Sequence, residues 1–186
     1  MAEYRNKVGG VYSLTTFAPI VHGHEETVRE VIESLPLGPE SPLARLDTLH
    51  LSRLQIFDHL VYQGPRQKHR DTLKHHHLVF TSSFDGELDP YLETICSRIG
   101  ADADSWWSHC VGYPGTSDRD GFKRWIRAHK VDSSLFASAY HGASVKRVRG
   151  ALETRERLVD FVVAAQGLDA GELQERFRST FVEGAA

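Results

Sequence analysis

Residues 14–35 and 78–99 are equal in length and follow one plan: a short apolar run, a turn, then an amphipathic helix. At a constant offset of 64, Val28, Val31, Ile32 and Leu35 fall on Leu92, Ile95, Cys96 and Ile99. Each set has the i, i+3, i+4, i+7 spacing that gives a helix one apolar face. A strand feeding a helix twice predicts two βαβ-like halves, and few folds accept that pattern.

Taken in order, Tyr12 to Ile20 alternates large apolar with small residues and predicts a first strand. His22-Gly23-His24 turns into a helix with Glu25 and Glu26 at its positive end, and Pro36 stops it. Leu49 to Tyr62 predicts a long second strand, bulged or bent near Asp58-His59. On a two-residue period His50 and Ser52 share a face with Leu54 and Ile56, while Arg53 lies with Leu51, Gln55 and Phe57. Gln63 to Thr72 is a charged surface loop or a lid, and His77 to Ser82 a third strand. A second helix follows with Asp89 as N-cap, Pro90 at its first position and Gly100 at its end. After a connection over 101–105, Trp106 to Val111 predicts a fourth strand.

The order β-α-β-β-α-β is the ferredoxin-like α+β pattern, a four-stranded antiparallel sheet with two helices on one face, over residues 11–111. Residues 117–182 form a helical extension expected to pack on that domain. One helix carries Phe122, Trp125, Ile126 and His129; another begins at Ser144 and carries Val145, Val148, Leu152 and Val159. Asp169 with Glu172 forms a capping box that opens the last helix.

Composition narrows the function. A formal net charge of −3 gives no reason to expect nucleic acid. No run approaches the about 18 apolar residues of a membrane span, and the start lacks a signal-peptide core, so a cytoplasmic protein is expected. Two cysteines make no disulfide framework, and Cys96 sits on an apolar stripe as a core residue. His75-His76-His77 looks metal-like, but consecutive strand residues point to opposite faces and no further ligand lies near in sequence. Phosphate-loop, nucleophile-elbow and zincin motifs are missing, and Cys110 beside His109 diverges from it on a strand.

The sheet face without helices is then the place for a pocket, lined by His50 or Arg53, His77, Trp106 or Trp107, and His109. Taken singly, each of these histidines reads first as a satisfied core residue, and it is the cluster that points to a site. A homodimer through the sheet is expected because a face carrying Tyr12, Leu14, Leu54 or Phe80 is too apolar for water; cover by the C-terminal helices is the alternative.

Across Val11 to Val111 the topology resembles the dimeric α+β barrel superfamily, which includes antibiotic-biosynthesis monooxygenases, chlorite dismutases and dye-decolourising peroxidases. Ser82-Ser83-Phe84-Asp85-Gly86 is similar to the Gly-x-x-Asp-Gly motif of the last group, with Ser82 in place of the leading glycine. The resemblance implies a small-molecule oxidoreductase, peroxidase- or monooxygenase-like, with Asp85 acting in peroxide activation. His50, Arg53 and Asp85 make up the expected catalytic set, with Arg53 stabilising developing negative charge. Haem is the implied cofactor, since it needs an imidazole, an apolar slot and cations for its propionates. His109 and His129 are alternative iron ligands, with Arg124, Arg127 and Trp106 around the group. Two other readings stay open: cofactor-free oxygenation or cyclisation, in which a histidine or tyrosine deprotonates the substrate, and a non-enzymatic small-molecule binding module.

Overall fold

The computed structural model describes residues 3–69 and 71–182. Contacts divide the chain into two compact units, Met1–Val145 and Lys146–Ala186. The first is an α+β unit around a four-stranded antiparallel sheet of order β1-β2-β4-β3, with β1 Lys7–Val8, β2 Val11–Pro19, β3 Leu49–His59 and β4 Thr72–Asp85. Helix α1 (Glu25–Ser34) joins β2 to β3, and α2 (Leu88–Arg98) follows β4. β4 lies between β2 and β3, so a strand splits the β2-α1-β3 passage, and the fourth strand of the sheet is the short N-terminal β1 at the β2 edge.

Strand alternation decides the two faces. Tyr12, Leu14, Ala18, Leu78, Phe80 and Phe84 form one core with Val28 of α1 and with Leu88, Tyr91, Leu92 and Ile95 of α2. The expectation that Tyr12, Leu14 and Phe80 form an apolar face in water is therefore overturned. They lie beneath the helices, and Leu54 packs against the same core. The opposite, open face carries Ser13, Thr15 and Phe17 of β2, His77, Thr81, Ser83 and Asp85 of β4, and Leu51, Arg53, Gln55 and Phe57 of β3. The β3–β4 register shifts between Phe57, opposite His77, and His59, opposite Thr72, so an irregularity lies near Asp58 as expected but the extra residues are on β4.

The predicted fourth strand is a helix. α3 (Gly100–Trp107) follows α2 directly, and Ala103, Trp106 and Trp107 are all fully buried. Adjacent tryptophans on a strand point to opposite faces, whereas i, i+3, i+4 positions on a helix share one. Gly100 begins this helix rather than ending α2, and a Cβ there would lie 2.8 Å from Thr116 Oγ1. Of the strand only a single bridge remains, Cys110 opposite Ile20, with a second lone bridge from Lys130 to Thr16. α2 likewise starts one residue before its expected cap Asp89, with Glu87 in the cap position.

Asp104 ties α3 to the turn after it. It accepts hydrogen bonds from the Tyr113 hydroxyl (2.6 Å), the Thr116 amide (2.9 Å) and the Thr116 hydroxyl (3.0 Å). Burial first, then the Asp104 carboxylate, pushes the Tyr113 hydroxyl well above the usual phenol range. Asp104→Ala strands these half-buried donors, and a loss of about 2–3 kcal/mol in urea unfolding is expected. Asp104→Asn, which keeps one carbonyl acceptor, should lose less.

α4 (Arg119–His129) belongs to the first unit, although the sequence places it in the extension. Asp118 caps it by accepting from the Gly121 amide at 2.9 Å, and Phe122, Trp125 and Ile126 enter the core. The second unit is a helical pair, α5 (Val145–Ala164, its first residue shared with the other unit) and α6 (Ala170–Phe181). The predicted Asp169–Glu172 capping box is formed. Among the described residues no helix is long and apolar enough to cross a membrane.

Candidate functional site

The open face ends in a corner where the chain departs from regular pairing. Leu49 lies opposite Phe84 and Leu51 opposite Ser83, so His50 is an extra residue on β3. Strict alternation would put His50 with Leu54, under the helices. The bulge instead turns it toward Asp85, whose parity is that of the open face.

His50 Nε2–H donates to Asp85 Oδ1 at 2.9 Å, and the Val145 amide donates to Asp85 Oδ2 at 2.7 Å. Both carboxylate oxygens thus have donors, while the two side chains keep 26% and 19% of their surface exposed. The corner is held by backbone bonds from Asp85 to Thr48, Gly86 to Gly10 and Gly10 to His141. Gly9, at φ +59°, packs against the His141 carbonyl so closely that a Cβ would lie 2.5 Å from it. Arg53 stands on the same open face, opposite Thr81, and Ser13 pairs with Ser83 between it and the dyad.

Three residues expected to act together, His50, Arg53 and Asp85, therefore share one half of one sheet face. With Nε2–H on a carboxylate, the neutral His50 ring presents Nδ1 as its basic nitrogen. This is the arrangement of a general base with its orienting acid.

No protein-family model, curated protein or solved structure matches the chain.

The residues expected around haem are disposed differently. Trp106 is fully buried in the core, so no face of it is left for a ligand. Arg127 is paired with Asp89. His129 Nδ1 donates to the Trp125 carbonyl at 2.8 Å, and its ring lies 4.4 Å from the Trp125 ring. His109 faces His24. As placed, Trp106 and Arg127 are not free to line a haem slot.

The His24–His109 pair is a feature that strand and helix periods do not foretell, since the two lie 85 residues apart. The Val21 amide donates to the His109 carbonyl, and His24 precedes α1, which brings the two Nδ1 atoms to 3.1 Å. One imidazole donates and the other accepts. Glu25, the nearest carboxylate in sequence, accepts from the Gly23 amide and approaches His22. Among the described residues no group of three ligands is placed to hold a metal.

Burial, then the nearby His24, holds the His109 imidazole below its ordinary value of 6.5, and burial does the same to His77, stacked 4.3 Å from Phe17. Both groups bind a proton less readily folded than unfolded. Their contribution to stability is complete above the unfolded value of 6.5 and falls as the pH drops through it toward the lower folded values. Thermal unfolding should give a lower Tm at about pH 5.5 than at about pH 7.5, with a smaller difference in His109→Gln. An unchanged Tm across that window would contradict the depressed titration.

A cleft of 530 Å³ lies elsewhere, lined by Arg45, Arg98, Gly100, Thr116 and Arg119 among others. Its arginines are paired with Asp102, Asp47 and Glu93 respectively, so it offers no unmatched cation for an anion. Cys110 is no nucleophile either, for burial pushes its thiol up to about 12.

Proposed function

We propose that the open sheet face beside His50 and Asp85 binds a small organic molecule with an acidic C–H, and that His50 removes this proton for cofactor-free oxygenation. The observation that supports this reading is the β3 bulge, which takes His50 out of the helix-covered parity and sets it on Asp85. His50 Nδ1 takes the proton, and Asp85 stabilises the imidazolium through Nε2–H. Arg53 offsets the negative charge on the substrate. The carbanion transfers its electrons to O₂ and a C–O bond forms. The peroxide regains the proton from His50, and loss of water from the hydroperoxide leaves a ketone. The same proton abstraction without O₂ drives cyclisation.

The haem peroxidase reading, with His109 or His129 on iron, has less support, because the side chains it needs are buried, paired or turned to one another. A binding module without catalysis would use the same face, with the dyad only gripping the ligand.

Anthrone, whose central methylene is acidic, is a suitable first probe, followed by hydroquinones and 1,3-dicarbonyls. Oxygen consumption without added cofactor is the expected result, lost in His50→Ala. Uptake that persists in that variant, or no uptake with any probe by the folded protein, sinks the reading. Saturable binding of a probe without turnover favours the binding module. A saturable Soret band on hemin titration, lost with His109→Ala or His129→Ala, favours haem.

A further inference from the structure

The second unit carries apolar surface that its two helices do not use. α5 meets α6 through Phe161, whose ring centre lies 5.9 Å from Phe177 and 5.5 Å from Phe181. Arg157 on the same side donates to the Thr180 carbonyl and covers the Phe181 ring. Val148, Leu152, Val159, Val162 and Val163, by contrast, are between 42% and 64% exposed. On a helical wheel these five fall within about 100° of arc, and Phe161 and Arg157 lie roughly opposite. A unit of about 40 residues holds too small a core to be stable alone and usually needs association.

The stripe is also self-complementary. Val148 and Val163, Leu152 and Val159, and Arg155 and Glu156 are pairwise equidistant from the 155–156 peptide bond. Two copies of α5 crossing antiparallel about a two-fold axis at that point set valine or leucine against valine on either side. At the centre, Arg155 meets Glu156 of the partner subunit, and the pair occurs twice. Among the described residues neither Arg155 nor Glu156 is in an ion pair of its own chain. A parallel pairing would instead oppose like charges. Symmetry of this kind is required only of an isologous interface, where one patch meets itself.

From this we infer that the chain dimerises through α5, antiparallel about Arg155 and Glu156, with a second copy as occupant of the stripe. The exposed apolar side chains supply roughly 400 Å² per copy, and with the flanking charged stems the contact nears the about 800 Å² per partner of a standard interface. The inference is independent of the chemistry at His50.

Sedimentation equilibrium of the full chain at micromolar concentration tests it. Wild type should show twice the 20.9 kDa chain mass. Leu152→Glu with Val159→Glu should sediment as the monomer, with helix content retained because both positions are exposed. Arg155→Glu alone should weaken the dimer at least tenfold, and Arg155→Glu combined with Glu156→Arg should restore it. A monomeric wild type, whose stripe then meets the sheet or a foreign partner, overturns the inference. So does a dimer indifferent to these substitutions, as one through the sheet would be, or a double swap that fails to restore association.

Discussion

Trp107→Ala is expected to remove about 3–5 kcal/mol of stability, the range for deleting a fully buried tryptophan ring. Trp107 has no exposed surface and joins four parts of the first unit. Its ring lies edge-on to Phe80 of β4 at 5.2 Å and to Trp106 of α3 at 5.8 Å. It also lies 5.5 Å from Phe122 and 6.2 Å from Trp125 of α4, and 6.3 Å from Tyr113 in the turn between the two helices. Alanine would leave a cavity bounded by a sheet and two helices, which cannot all close on it at once. Against a typical total of about 5–15 kcal/mol, such a loss leaves the domain near its unfolding threshold. Trp107→Phe should cost far less, since the ring contacts remain and an indole N–H with no hydrogen-bond partner is removed. Urea denaturation of the two variants checks the order, and an alanine variant within about 1 kcal/mol of wild type would remove Trp107 from its central place.

Loss of the His50 imidazole is expected to slow turnover of an oxygenated probe by roughly 10²–10⁴-fold, the usual contribution of a positioned general base. Stability should change little, because the ring is about a quarter exposed and stands at a bulge rather than in the core. Asp85→Asn should retain more activity than His50→Ala. Its amide carbonyl can accept from either the Val145 amide or His50, but it no longer provides charge opposite the imidazolium. Imidazole added to His50→Ala separates a missing base from a damaged structure, for it restores proton abstraction only in the first case. A variant that loses both activity and several degrees of Tm, with no rescue, would make the dyad a structural clamp.

Much of the chain's local structure follows from residue period alone. The matching apolar stripes of α1 and α2 and the Asp169–Glu172 cap are encoded within about ten residues each, and the structure contains all of them. The run Trp106 to Val111 was ambiguous at that range, because two tryptophans suit a strand by propensity and a helix by their spacing from Ala103. Only packing against Phe80, Phe122 and Trp125 decides for the helix, since both indoles can then enter one core.

The site shows the same division. His50, Arg53 and Asp85 are visible in sequence as polar residues in or beside apolar strands, but a two-residue period sets His50 and Arg53 on opposite faces and leaves open which of them lines the pocket. One extra residue in β3 shifts the phase of every position before it, and a bulge is set by the partner strand's register rather than by its own sequence. His24 and His109 meet because a backbone bond between Val21 and His109 joins segments far apart in the chain. Sequence determined the apolar stripes of α1 and α2 and the cap of α6; tertiary structure decided that Trp106 and Trp107 lie on a helix and which faces meet, because apolar faces are buried, and strand backbone groups are paired, only between elements.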